Sequence, residues 1–169
     1  MARDGLLPAN VTGPIDLNRL LREAKSLDEF LTSAGLRVGG EPVKLPKTSR
    51  NLDDLTTQAK LNILHEADRQ ELIRYLTDIK DAAPTIHISF SADPSPAFLI
   101  KLVTWLRREI HPQLLLRVGL QPNLGAGCIV RTTNKYFDFS LRQHFADKSD
   151  VFLKRLQAAV QQVEAGADK

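Results

Sequence analysis

Apolar side chains recur along this chain with two different periods, and the change from one to the other divides it. Over residues 16–34 they fall at Leu17, Leu20, Leu21, Ala24, Leu27, Phe30, Leu31 and Ala34. That three-and-four spacing paints one face of an amphipathic helix. Asp16 is placed to cap its start and Gly35 to end it in a left-handed turn. The same period returns at Leu55, Leu61, Leu64, Leu72, Ile73, Leu76 and Ile79, predicting a helix or broken helix over residues 52–82 with Asn51 or Asp53 as cap. His65 falls on the apolar side of this pattern and reads as a hydrogen-bonded helix histidine. Between the two helical stretches, Gly39, Gly40, Pro42 and Pro46 break the period, and Arg37, Lys44, Lys47 and Arg50 outnumber Glu41. That stretch reads as an exposed basic connector, with a contact strip for an acidic surface as the alternative.

At Pro84 the period changes from 3.6 to 2. Residues 85–90 alternate polar and apolar, the mark of a strand with one covered face. Ser95 followed by Pro96 signals a helix start, because proline's missing N–H is not needed in the first turn. This helix points Phe98, Leu99, Leu102, Val103, Leu106 and Ile110 inward and Lys101, Arg107, Arg108 and Glu109 outward, and stops at His111-Pro112. Residues 113–120 form a second strand with Leu114, Leu116, Val118 and Leu120 on one face. Residues 128–131 and 136–139 form a hairpin closed by Thr132-Thr133-Asn134-Lys135. Ser140 with Gln143 makes a capping box, opening a last helix whose apolar positions Leu141, Phe145, Phe152, Leu156, Val160 and Val163 approach a seven-residue repeat. The expected class is α+β: residues 1–50 an N-terminal helix and Pro/Gly-rich basic connector, 51–83 a linking helix, 84–164 a β-α-β-β-α domain with a four-stranded mixed sheet, and 165–169 a frayed tail. The first two strands should run parallel across the helix that joins them.

Composition narrows the function. The 169 residues are 43% hydrophobic and 25% charged, as in an ordinary soluble globular unit. A net charge of +3 is small beside the field of a dedicated nucleic-acid binder. The lone cysteine, Cys128, rules out an intrachain disulfide and fits a reducing compartment. No apolar run reaches the length of a signal peptide or a membrane span, so work at a membrane would go through a partner.

The sequence holds no phosphate-cradling loop, dinucleotide fingerprint, paired-histidine zinc motif or nucleophile elbow. Gly125-Ala126-Gly127 precedes a strand and reads as backbone economy at its entrance. The histidines His65, His87, His111 and His144 lack ligand spacing. Cys128 beside Ile129 and Val130 reads as a small hydrophobe. Asp138, between Phe137 and Phe139, reads as a carboxylate serving the following helix start. A small enzyme using Asp138 or Cys128 is the catalytic alternative. Trp105, at the margin of its helix's apolar stripe, is half-buried or an anchor for a partner.

Gly125-Ala126-Gly127-Cys128-Ile129-Val130-Arg131, followed by Asn134-Lys135-Tyr136-Phe137-Asp138-Phe139-Ser140-Leu141-Arg142, resembles the delta subunit of F-type ATP synthases, called the oligomycin-sensitivity-conferring protein in mitochondria. Ala126-Gly127 matches that family's small-glycine step, Arg131 its strand end, Asn134 its turn, Asp138 and Ser140 its acid and hydroxyl, and Arg142 its helix base. Phe139 stands where the family usually has glycine. The resemblance covers residues 85–156; the peripheral-stalk E subunit of V-type enzymes is a more distant likeness. The resemblance implies a non-catalytic stator, without metal or cofactor, on the cytoplasmic side of the cell membrane. Through partners it would link ATP synthesis and proton transport. Those partners are the b-type stalk helices, met by Phe152, Leu153, Leu156, Val160 and Val163, and the alpha-type subunits of the catalytic head; that the last helix's stripe instead covers the chain's own sheet is the alternative reading of those residues. A small basic α/β nucleic-acid-binding module is the alternative function, against which the modest charge argues.

Overall fold

Pro14 sets where the first helix begins. In the computed structural model, which describes residues 7–35 and 46–157, α1 runs Pro14–Gly35, its proline in the first turn where no N–H is required. Asp16 therefore lies inside the helix and does not precede it. Its carboxylate reaches back to accept the N–H groups of Thr12 at 3.1 Å and Gly13 at 3.3 Å and the Thr12 hydroxyl at 2.9 Å. The cap expected of Asp16 acts from within the first turn, the reciprocal half of a capping box.

The linking stretch is two helices, α2 (Arg50–Ala59) and α3 (Glu66–Ala82). The break falls at Lys60, in the left-handed region at φ 54°, where its N–H closes onto the carbonyls of Thr56 and Thr57. Neither glycine nor proline marks it. Ser49, not Asn51 or Asp53, caps α2, its hydroxyl accepting the Leu52 N–H at 3.3 Å. His65 occupies the cap position of α3 and is exposed, which corrects its placement on an apolar helix face.

The stripe of α1 packs against Leu52 and Leu55 of α2 and Leu72, Leu76 and Ile79 of α3, with Val11 and Leu115 completing the core. Arg69, nearly buried, bridges Asp28 at 2.7 Å and donates to the carbonyls of Ile63 and Leu64. It thereby ties the α2–α3 loop to α1.

The second half holds β1 (Thr85–Phe90), α4 (Pro96–Glu109), β2 (Leu115–Leu120), β3 (Gly127–Arg131), β4 (Tyr136–Ser140) and α5 (Leu141–Asp147). The order in the four-stranded mixed sheet is β2-β1-β3-β4, which makes the class α+β. The hydrogen bonds Leu115 N–H to Pro84 and Gln121 N–H to Phe90 advance together along both strands, the parallel pattern expected for β1 and β2. Ser95 caps α4 by accepting the Phe98 N–H.

Not every face is as expected. Val103 and Leu106 are buried, but Phe98 and Ile110 are exposed, as are Val118 and Leu120 of β2. Arg107, expected to point outward, lays its guanidinium on the carbonyls of Leu114, Pro8 and Val11, the last at 2.6 Å. Burial lowers its pKa, Tyr75 opposing. A guanidinium's five donors can satisfy carbonyls that an apolar side chain would leave bare.

Two compact units result. One comprises Met1–Ile86 and Pro94–Arg117, the other His87–Asp93 and Val118–Lys169. The first is built on the α1–α2–α3 core, the second on the β3–β4 hairpin and the helix that leaves it.

Candidate functional site

The hairpin of β3 and β4 is the paired part of the C-terminal unit from which α5 leaves. Its antiparallel register pairs Arg131 with Tyr136, Val130 with Phe137, Ile129 with Asp138, Cys128 with Phe139 and Gly127 with Ser140. Alternate residues of a strand share a face, so Phe137 and Phe139 lie together, their rings stacked with centroids 6.1 Å apart. On the other face the Arg131 guanidinium sits 5.3 Å from the Tyr136 ring centroid, within cation–π reach.

Gly127 has φ +94°, and a Cβ there would collide with the Phe139 carbonyl oxygen. Gly125 also has a positive φ, +70°, but with open space where a Cβ would go. Only the second glycine of the Gly125-Ala126-Gly127 step is thus required by both backbone conformation and close approach.

Asp138 and Ser140 finish β4 and launch α5. The Asp138 carboxylate accepts the Ser140 N–H at 2.8 Å, and the Ser140 hydroxyl accepts the Gln143 N–H at 3.2 Å. Ser140 is buried and Asp138 half-buried. Hydrogen bonds from Ser140, assisted by the charge of Arg142, hold the Asp138 carboxyl below its ordinary pKa. Asp138 is therefore an ionised structural acceptor, poorly suited to giving up or taking a proton near neutrality.

Burial, reinforced by the Asp138 charge, pushes the Cys128 thiol up, away from the reactive thiolate. Asp138 and His144 do border a shared shallow cleft of about 390 Å³, along with Ala126, Gly127, Phe139 and Leu141. The Asp138 carboxylate is nevertheless engaged by Ser140, and the lining is mainly apolar. Among the described residues, no three His, Cys, Asp or Glu side chains are grouped to hold a metal, and no helix is long and apolar enough to cross a membrane.

The final helix departs from a continuous rod. α5 ends at Asp147, Lys148 is non-helical at φ −113° and ψ 11°, and helical turns resume over residues 149–157. Phe145, Phe152, Leu153 and Leu156 are 61%, 60%, 55% and 46% exposed. The stripe thus does not cover the chain's own sheet within this range. Val160 and Val163 lie outside the described residues. Three of the five expected interface residues, Phe152, Leu153 and Leu156, sit together on the last described turns.

Sequence reasoning missed that Phe137 and Phe139 on one face of β4, and Tyr136 on the other, are all exposed. The signal was available: a strand with three aromatic residues followed directly by a helix with an apolar stripe. An alternating pattern does not say which strand ends at the sheet's edge, and β4 does.

The helical unit carries a separate cleft of about 480 Å³ bordered by Leu27, Thr56, Leu61, Ile63 and the exposed Leu64. Among the connector's described residues, Pro46 and Thr48 border it; Arg37 and Lys44 lie outside the described residues. No protein-family model matches the sequence, and no curated protein matches it significantly.

Proposed function

We propose that this protein is a non-catalytic peripheral-stalk subunit of a rotary ATPase, linking the catalytic head to the stalk of the membrane sector. The observation that carries this reading is the uncovered apolar stripe over Phe145, Phe152, Leu153 and Leu156. It continues directly from the hairpin on which the resemblance to the delta subunit rests. A stator resists torque by interlocking apolar faces and needs no reactive group, and a stripe of this spacing suits a helix-in-groove contact. The cleft at Leu27, Leu61 and Ile63 offers a separate place for a head subunit. The protein would then lie at the cytoplasmic face of the membrane through its partners. Affinity capture of the tagged full-length protein from solubilised membranes should recover ATPase head and stalk subunits together; recovery of neither rejects the reading.

A second reading has one specific observation in its favour. The registers His87 to Arg131 and Arg131 to Tyr136 align basic and aromatic groups across three strands, the kind of row that stacks bases and meets phosphates. Titrating single-stranded RNA against salt decides it: micromolar binding that weakens steeply would replace the stator reading with this one.

A further inference from the structure

The sheet has two edges, and the chain treats them differently. At the β2 edge the Leu116 N–H donates to the Thr12 carbonyl at 2.9 Å, so the segment ahead of α1 covers it there. Beyond β4 no further strand lies among the described residues. The bonds from Thr132 N–H to Lys135 and from Leu141 N–H to Ala126 fix which residues of β4 face inward, because hydrogen-bonded pairs alternate along an antiparallel ladder. Phe137 and Phe139 direct their N–H and C=O groups to β3, whereas Tyr136, Asp138 and Ser140 direct theirs outward. The Ser140 N–H is already taken by the Asp138 carboxylate at 2.8 Å, and its carbonyl, at the N-cap of α5, is engaged by the helix. The open edge therefore offers the N–H and C=O of Tyr136 and Asp138, set among exposed aromatic side chains. An apolar strand edge of this kind is a template for another strand.

We infer that the arriving strand is β4 of a second copy of this chain, the two running antiparallel about a twofold axis through Phe137. The inference stands apart from the stator reading, which uses the last helix and not this edge. Centred on Phe137, Tyr136 pairs with the partner's Asp138 and Asp138 with the partner's Tyr136, and every open backbone group on both strands finds its mate. Centred on Asp138, two carboxylates would face each other, and Tyr136 would meet the partner's Ser140, whose N–H is engaged. Centred on Tyr136, Asp138 would meet the partner's Asn134, which lies in the hairpin turn.

The side chains select the same register. Opposed residues share a face, so Asp138 lies beside the partner's Tyr136. In each copy the Tyr136 ring carries the Arg131 guanidinium, 5.3 Å from its centroid. The carboxylate of one copy thereby meets the cation–aromatic pair of the other, twice over in an isologous contact. On the opposite face Phe137 meets the partner's Phe137 as a non-hydrogen-bonded pair, the closer kind. The stacked rings of Phe137 and Phe139 then join those of the partner in one apolar cluster. A foreign extended peptide would gain the backbone bonds without this matching of charge and rings.

Two five-residue strands make a small contact, of the transient class. The dimer should accordingly be weak, with a Kd of about 100 µM, leaving the chain monomeric at low micromolar concentration. Sedimentation equilibrium of the full chain, from about 5 to about 500 µM, should show the shift from monomer to dimer. Phe137→Lys puts like charges across the axis and should weaken the dimer about tenfold, the circular-dichroism spectrum being unchanged because the side chain is already exposed. A cysteine scan fixes the register, with Cys128→Ser removing the native thiol. Under mild oxidation Phe137→Cys should link two copies about tenfold faster than Phe139→Cys. Thiols at 137 meet on the axis, while those at 139 lie about 13 Å apart along the strands, although Phe139 is 63% exposed and Phe137 42%. A chain that stays monomeric at the highest concentration overturns the inference, as do equal cross-linking rates at the two positions. A dimer that withstands Phe137→Lys and is dissociated by Leu156→Asp also overturns it, moving the contact to the last helix.

Discussion

Two amphipathic helices with the same kind of sequence pattern meet opposite fates here. In α1 the stripe is sealed: Leu17 has no exposure, and Leu20, Leu21, Ala24 and Leu27 are buried beside it. In the turns from Leu141 to residue 157, side chains of equal or larger apolar area stand open. The difference lies in the neighbours, since α2 and α3 follow α1 and fold back over it, whereas the last helix leaves an edge strand. Periodicity states that a stripe needs covering and is silent about which molecule covers it.

The largest effect should come from breaking the sealed stripe. Leu17→Ala removes a fully buried side chain from the α1–α2–α3 core, and the lost transfer energy and the cavity together should cost about 2–5 kcal/mol. Chemical denaturation of the helical unit measures this; a loss under about 0.5 kcal/mol would mean that α1 is not part of the core.

The hairpin sets the geometry of the open stripe, so its strained entrance comes next. Gly127→Val puts a β-branched residue at φ +94° and drives its Cβ into the Phe139 carbonyl, which should cost about 1–3 kcal/mol. Gly125→Ala, at φ +70° with open space around it, bears only the conformational cost and should lose less. Equal losses at the two positions would show that the close approach to Phe139 contributes nothing.

A smaller, pH-dependent effect belongs to Asp138. Its folded pKa is held below the ordinary 3.8, first by the Ser140 hydrogen bonds and then by Arg142. A depressed carboxyl pKa stabilises the fold above the unfolded value, and the gain is lost as pH falls through the folded one. The hairpin of the wild type should therefore melt higher than that of Asp138→Asn at pH 7, with the two converging below pH 3.8. A difference that persists undiminished in stronger acid would place the cause elsewhere.

How much of this was legible beforehand depends on which force decides each feature. Ser95-Pro96, Ser140 with Gln143, and the hairpin around Asn134 were readable because caps and turns are set by neighbouring residues. The break at Lys60 was not, since lysine has no preference for the left-handed region; there its N–H closes onto the Thr56 and Thr57 carbonyls at the end of α2. Arg107 was misplaced for a related reason: helical position showed it beside charged neighbours, while its carbonyl partners at Pro8 and Val11 come from nearly a hundred residues away. At the candidate site, Asp138 and Ser140 could be named from spacing to the helix start. Tyr136, Phe137 and Phe139 joined them only once β4 was known to be the edge.

The smallest effect on stability carries the most information about the comparison. Leu156→Asp places a carboxylate on the open stripe, where the side chain is already 46% exposed and substitution should change folding free energy by only about 0.5 kcal/mol or less. The same substitution at Leu17 would bury an unpaired charge and unfold the helical unit. If the open stripe is an interface, Leu156→Asp remains a well-folded monomer by circular dichroism and sedimentation, yet no longer captures its partners from membranes, because the charge must be desolvated when a helix docks. Aggregation or a sharp fall in melting temperature would instead mean that Leu156 helps to hold its own chain together, and the contrast between the two helices would vanish.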